Sequence, residues 1–430
     1  MEVVVIGIGR VGAVAACCLA DAGHRVTGIE ISPTSLELMN SGVVPYHEPG
    51  LEGLLKHGLQ KGNLKFAAVL PGSLKADIVM IAVNTPAMPD GTCDLSYVYT
   101  AVAQVRDALD GPTIMVMKST VSPGTGVRLI KDYLQGTPIT YVSNPEFLRG
   151  GQGVYDWYHP DRIVIGTDDN RAADKLRLMY SGIEAPVLVT DITSAEMIKC
   201  ASNTFLATKI SFINEIANIC ETVGANIDDV ARGTGLDPRI GPAFLQAGLG
   251  YGGHCLPKDA AALNSLASSK GYDFKVLRAA IEVNIRQRIL VVNKLKQLLG
   301  SLKGKEIALL GLAFKPGTSD ASEAPSLDIA RLLITEGAYL RAYDPAAIEN
   351  ARSLLPDGIV FAKDVYSAVA GACAIVLATE WPEFIEADWT RIRKTMVKPY
   401  AIIDGRNGLP AESLINAGFK YFGVGRKFAE

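Results

Sequence analysis

Cys255 stands in the run GYGGHCLPKD, behind Gly252 and Gly253 and ahead of a proline, with Lys258 and Asp259 three and four residues on. A structural cysteine sits in an apolar strand or helix. A working thiol needs backbone clearance, a charge that favours thiolate, and a nearby acid or base. This run supplies those residue types, yet by itself leaves both readings open, nucleophile or inert thiol.

A second constellation is built from glycines. GIGRVG places Gly7, Gly9 and Gly12 between an apolar run and a helical pattern. Gly7 allows a tight turn, Gly9 lets backbone approach a pyrophosphate on the helix N-terminus, and Gly12 permits close helix–sheet packing. Glu30 ends the next apolar run about 20 residues on, where an acid accepts hydrogen bonds from ribose hydroxyls and repels a 2′-phosphate. The motif therefore predicts NAD rather than NADP, held by Gly7, Ile8, Gly9, Arg10, Val11, Gly12 and Glu30. Two further strand ends should border the same crevice: VNTP (Val83, Asn84, Thr85, Pro86) and KSTV, with Ser119 and Thr120. The stretch GLAFKPG lacks a glycine triad and is expected to hold another part of the substrate.

These residues need a scaffold. The runs EVVVIGIG, HRVTGIEI, ADIVMIAV, PTIMVMKST and ITYVSNP read as buried strands, and helix-length segments between them imply a parallel sheet covered on both faces. From Thr193 a helical pattern runs without Pro or Gly until Gly224, longer than an ordinary globular helix. More helix follows in FKVLRAAIEVNIRQRILVVNKLKQLLG. The strand–turn–helix texture returns at Lys303: KEIALLGLAF, YLRAYDP and CAIVLATE repeat the first unit as a diverged copy. The predicted fold is α/β: two doubly wound Rossmann-like domains, 1–192 and 301–430, joined by a long central helix and a helical middle, 193–300.

At 430 residues the chain is too long for one core. Its 48% apolar and 20% charged content is that of a folded globular protein, and its net charge of −3 argues against bulk binding to nucleic acid or an anionic membrane. No apolar run reaches the roughly 20 residues of a spanning helix. No leader is visible in the sequence, and a cytoplasmic location is expected. The seven cysteines are scattered without a Cys-x-x-Cys pair, so no metal site is predicted.

Taken in order, the motifs GIGRVG, VNTP, KSTVSPGT, SNPEFLRG, DRIVIG, AEMIKCASNTFLATKISFINEI, DPRIGPAFLQAGLGYGGHCLPKD, LGLAFKPGTSD and IIDGRNG span nearly the whole chain. Together they resemble the UDP-glucose/GDP-mannose dehydrogenase family. That resemblance implies two successive NAD-dependent oxidations of a sugar-nucleotide C6 alcohol to a carboxylate, with UDP-glucose the expected substrate. It makes Cys255 the nucleophile that carries a thiohemiacetal and then a thioester. It implies that Lys199 stabilises developing negative charge on oxygen and that Asn203 fixes sugar hydroxyls. Glu146 and Thr120 position the hydrolytic water, and Asp259 assists it. It adds Lys258 to the cofactor contacts. Substrate binding is expected from Glu146, Phe147, Leu148, Arg149, Lys199, Asn203, Phe244, Leu245, Tyr251, Gly252, Lys315 and Arg406. Arg239 is expected to reach a neighbouring subunit's site, which implies a homodimer built on the long helix.

Two positions depart from the family pattern. Gly150 stands where an acid is usual, and Ser322 where an arginine precedes Glu323. The joint loss suggests a missing ion pair at the nicotinamide end and a weaker hold on NAD. GDP-mannose and UDP-N-acetylhexosamine dehydrogenases remain alternatives, the latter because His254 gives the thiol loop their GGHC form. A non-catalytic nucleotide-sugar-binding protein is the alternative of a different class.

Overall fold

A computed structural model describes residues 1–426. The chain forms two compact units, Met1–Ser202 with Ala261–Lys270, and Asn203–Ala260 with Gly271 onward.

The first unit is built on eight strands: β1 (Glu2–Ile6), β2 (Arg25–Ile29), β3 (Leu64–Ala67), β4 (Ile78–Ile81), β5 (Thr113–Met117), β6 (Ile139–Ser143), β7 (Ile163–Gly166) and β8 (Val187–Thr190). They lie in the order β3-β2-β1-β4-β5-β6-β7-β8, parallel except for the pairing of β6 with β7. Because side chains alternate across a strand, an apolar run such as EVVVI serves two cores at once. Val3 and Val5 pack with the alanines of helix α1 (Arg10–Asp21), while Val4 and Ile6 pack with Val98, Val102 and Leu129 on the other face. Strand order reverses between β1 and β4, and ligand crevices of open α/β sheets form at such a reversal.

The second unit repeats the plan with β9 (Glu306–Leu310), β10 (Tyr339–Tyr343), β11 (Ile359–Phe361), β12 (Ala374–Leu377), β13 (Ala401–Asp404) and β14 (Lys420–Gly423). All are parallel, in the order β11-β10-β9-β12-β13-β14. The kinship is local as well. Gly7 donates its N–H to Ile29 O at 2.9 Å, and Gly311 donates to Tyr343 O at 2.8 Å. Both glycines have positive φ, +87° and +97°. The expected two doubly wound folds are thus found.

Helix α2 (Ile192–Val223) is continuous for 32 residues, about 48 Å at 1.5 Å per residue, and stops one residue before Gly224 as the sequence indicates. Helix α3 (Leu256–Ser269) follows the thiol run, and helix α4 (Lys275–Leu299) packs its Val291, Val292 and Leu295 into the core of the second sheet.

Candidate active site

The glycine turn has the shape a dinucleotide requires. A Cβ on Gly12 would lie 1.9 Å from Gly7 O, so only glycine lets α1 start this close to β1. Above Gly9 the space is open: its Cβ would meet nothing nearer than Asn84 Oδ1 at 3.9 Å. Glu30 turns back on the turn itself. Its Oε2 accepts the Ile8 N–H at 3.0 Å and its Oε1 accepts the Ser32 N–H at 2.8 Å. The Arg10 guanidinium lies over the Tyr46 ring, and Gly150 sits where a Cβ would be 3.5 Å from Arg10 Nη1. The ends of β4 and β5 are stitched together: Ser119 Oγ donates to Val83 O at 2.7 Å and Thr85 Oγ1 to Thr120 O at 3.0 Å. Asn84 and Pro86 are exposed beside them. An open cradle over a helix N-terminus, with an acid at the second strand end, fits NAD.

Glu146 follows β6, and Lys199 lies two turns into α2. Their side chains meet at 2.9 Å with 6% and 3% of each residue exposed. Glu146 Oε2 also accepts the Leu148 N–H at 2.6 Å. Burial pushes the Glu146 carboxyl up, but the Lys199 charge and hydrogen bond, the Leu148 N–H and the Lys118 charge outweigh it and hold the carboxyl below its ordinary value. The pair therefore stands as carboxylate and ammonium. Phe147 is flanked by cations, with Arg162 3.8 Å and Lys199 5.4 Å from its ring centre. Arg149 pairs with Asp156 at 2.5 Å, which leaves its backbone, not its charge, to meet a substrate.

In the second unit Cys255 is exposed immediately before α3, and its carbonyl accepts the Asp259 N–H at 2.9 Å, the first bond of that helix. The partial positive charge of the helix start favours an anionic sulfur. Asp259 is buried and doubly held: Asn203 Nδ2 donates to it at 2.6 Å and Lys258 Nζ at 2.7 Å. The loop before the thiol is fixed by backbone contacts. Asn284 Oδ1 accepts the Tyr251 N–H at 2.7 Å, and Asn284 Nδ2 and Arg288 Nη2 donate to Tyr251 O at 3.1 and 3.0 Å. Gly253 donates its N–H to Ser322 O at 2.8 Å. A Cβ on Gly252 would come within 2.4 Å of Glu323 O, so this glycine is needed for close approach.

Known proteins carry the same organisation. Residues 1–184, 193–286 and 308–411 match the NAD binding domain, the central domain and the UDP binding domain of the UDP-glucose/GDP-mannose dehydrogenase family. The UDP-glucose 6-dehydrogenase TuaD of Bacillus subtilis is 44% identical over 99% of this chain and 93% of its own. Among solved structures, a UDP-glucose dehydrogenase from the hyperthermophilic archaeon Pyrobaculum islandicum matches with a TM-score of 0.90 and 36% identity, over 99% of this chain and 98% of that one. A UDP-D-ManNAc dehydrogenase from Pyrococcus horikoshii matches with a TM-score of 0.89 and 30% identity over 99% of both chains.

The chain belongs to the UDP-glucose/GDP-mannose dehydrogenase family. It is an NAD-dependent oxidoreductase, which removes the non-catalytic reading. The other residues expected to meet substrate in this family are placed unevenly. Phe244 is part-exposed at φ +64°, whereas Leu245 is buried in a cluster with Ile213 and Ala217 and has only its backbone to offer. Lys315 Nζ lies 5.8 Å from the Phe314 ring centre. Arg406 binds at home, donating to Ala378 O at 2.8 Å and Phe314 O at 2.6 Å. Arg239 is exposed and paired with Asp237 at 2.6 Å. His254 Nδ1 is 3.9 Å from Asp320 Oδ2. Sequence reasoning gave no role to Glu196, Asn284 or Arg288, polar residues spaced like any others on long helices, and it quoted Lys118 only as the start of KSTV. Among the described residues no helix is long and apolar enough to cross a membrane, and no cluster of His, Cys, Asp or Glu could hold a metal.

Proposed function

We propose that the chain oxidises UDP-glucose to UDP-glucuronate in two NAD-dependent steps, four electrons in all. The observation that carries this reading is the exposed Cys255 at a helix start, with buried Asp259 one turn along that helix. The UDP-glucose dehydrogenases among its relatives support the substrate.

The glycine turn and Glu30 would hold NAD, which when bound would supply the hydride acceptor for each oxidation. The protein's residues do the rest. The Lys199 ammonium, paired with Glu146, stabilises negative charge that develops on the C6 oxygen. Cys255 thiolate adds to the C6 aldehyde carbon, giving a thiohemiacetal whose oxidation leaves a thioester. Water then attacks the thioester carbon, Cys255 leaves as thiolate, and the carboxylate product forms. Asp259, oriented by Asn203 and Lys258, takes the proton from that water, which Thr120 and Glu146 help to position. Phe147, Leu148 and Arg149 present backbone to the sugar nucleotide, as do Leu245 and Gly252, while Phe244, Tyr251, Lys315 and Arg406 offer side chains.

This reading assigns cofactor, dimer and UDP functions to 1–192, 193–300 and 301–430, and places the enzyme in the cytoplasm. It makes the protein a homodimer in which Arg239 serves the neighbouring site. An apolar stripe supports the dimer: Phe205, Phe212 and Ile219 recur every seven residues on α2, exposed at 65%, 53% and 54%. The departures at Gly150 and Ser322 remain compatible with a weaker hold on NAD. The similarity to the UDP-D-ManNAc dehydrogenase, together with His254, favours a UDP-N-acetylhexosamine as the second candidate substrate.

The test is NADH formed per UDP-glucose consumed, for the parent and for Cys255→Ser. Two NADH per sugar, lost in the variant, is the expected result. Turnover only with another nucleotide sugar would overturn the substrate, and two NADH from the variant would overturn the thioester route.

A further inference from the structure

The Glu146–Lys199 pair has a third charged neighbour. Lys118 is the first residue after β5, only 6% exposed, and among the described residues no carboxylate lies within 4.0 Å of its Nζ. Its ammonium donates to Asn144 Oδ1 at 3.1 Å and to the Tyr180 hydroxyl at 3.2 Å, with the Trp157 and Tyr180 ring centres each 5.7 Å away. Tyr180 closes the triangle, donating to the same Asn144 Oδ1 at 2.6 Å, and Asn144 Nδ2 donates to Val164 O at 2.7 Å. Asn144 stands two residues before Glu146, and Lys118 two before Thr120. The parallel pairing of Met117 with Ser143 sets these two strand ends side by side.

An ammonium is a costly way to fill an apolar pocket. A methionine would pack as well, and Asn144 would keep its bond from Tyr180. The charge therefore needs another explanation, and the local sum provides one. Lys118 comes from just after β5, Glu146 from the segment after β6, Lys199 from α2 and neutral Tyr180 from beyond the helix after β7. Asp156 is already bound to Arg149, and the Arg162 guanidinium stacks on Phe147. Lys199 and Lys118 thus both act on the Glu146 carboxylate, the first by contact and the second through its charge. Burial pushes Lys118 down to about 8, and Glu146 and Lys199 act on it with opposite sign, so the three groups share one field.

We propose that Lys118 is a positioning residue of the dehydrogenase reaction: it fixes Asn144, two residues before Glu146, and sets a second buried cation near the Glu146–Lys199 pair. A second buried cation near this pair suits a site where negative charge grows on a substrate oxygen. This inference rests on the functional reading above.

The experiment follows kcat against pH for the parent, Lys118→Met and Lys118→Arg, with NAD and UDP-glucose or whichever nucleotide sugar the parent turns over. Removing a cation strengthens proton binding at both Glu146 and Lys199. Whichever of them sets a limb of the profile, that limb moves to higher pH in Lys118→Met, by about one unit. Lys118→Met loses about tenfold or more of kcat at neutral pH with KM for NAD unchanged. Lys118→Arg keeps the limb where the parent has it. Superposable profiles for parent and Lys118→Met overturn the proposal, as does a limb displaced equally by arginine and methionine. Should Lys118→Met not fold, Lys118→Gln retains hydrogen bonding without charge and is read in the same way. A readout independent of turnover is thermal unfolding: the parent gains stability over the neutral variant as pH rises from about 8 towards 10.5, the ordinary lysine value. Equal behaviour there overturns the premise of a buried, titrating ammonium. A parent inactive on every nucleotide sugar overturns the functional reading and this proposal together; an active parent with unmoved variants overturns this proposal alone.

Discussion

A lysine with 3% of its surface exposed obeys different rules from one on a solvated helix face. Lys199 and Glu146 have exchanged water for each other, so deleting Lys199 strips a buried carboxylate of its contacting cation and leaves it the Leu148 N–H and the charge of Lys118. Lys199→Met should cost about 3 to 5 kcal/mol of unfolding free energy, measured by denaturant titration. Arg239→Ala removes an ion pair of similar length, yet that pair stands in water and salt screens it. Its loss should leave the unfolding curve of the separated chain unchanged. If Lys199→Met were as harmless as Arg239→Ala, the Glu146–Lys199 contact would not be a desolvated pair.

At the scale of elements, loops are held by acids reaching from helices. Glu196, on α2, accepts the Gly124 N–H at 2.7 Å and the Gly126 N–H at 2.8 Å, which pins the segment that follows Thr120. Burial pushes this carboxyl up to about 7, although the three backbone donors of Gly126, Gly124 and Thr125 pull the other way. A raised acid holds its proton more tightly in the folded chain. Its favourable contribution is complete below the unfolded value of 4.5 and is lost as pH climbs through about 7. Relative to Glu196→Gln, the parent should therefore lose about 3 kcal/mol of stability across that window. Parallel curves for the two proteins from pH 4.5 to 7 would contradict this assignment. Glu196 also marks the limit of reading a sequence. Strands such as EVVVI and IVMI are legible because both faces are apolar, and α2 because nothing breaks it before Gly224. Strand β3 is less so because a lysine interrupts its apolar run, and the short apolar runs of β7 and β8 do not by themselves separate a strand from a buried helix. The reversal of β7 against β6 leaves no local trace. The cofactor turn and thiol loop were legible because their glycines and ionisable residues are contiguous. Lys118, Glu196 and Asn284 were not, because each acquires its role from partners 26 to 72 residues away.

For the whole molecule, the exposed stripe of α2 is the feature a monomer does not explain. Phe212 is half-exposed on that stripe, so Phe212→Glu should leave the chain folded and halve the mass seen by light scattering. A parent already at the monomer mass would end the dimer reading. The two Rossmann units also illuminate each other. Each has an acid at the end of its second strand that answers backbone donors of the first turn. Asp344 accepts the Leu312 and Ala313 N–H groups at 2.7 and 3.0 Å and the Trp381 indole at 3.0 Å, in a site 1% exposed. Glu30 does the same for Ile8, and also accepts the N–H of Ser32 just beyond its own strand. The acid thus serves the turn whether or not a dinucleotide is near.

For cofactor engineering this matters. A designer seeking NADP specificity would begin by deleting the negative charge at Glu30. Alanine there also strands the N–H groups of Ile8 and Ser32, so weaker folding would mask any gain in phosphate affinity. Glutamine, or an asparagine with a repacked turn, keeps an acceptor while discarding the charge. Charge and acceptor are separate duties of one side chain, and a library that varies them separately would show which of them sets the choice of cofactor.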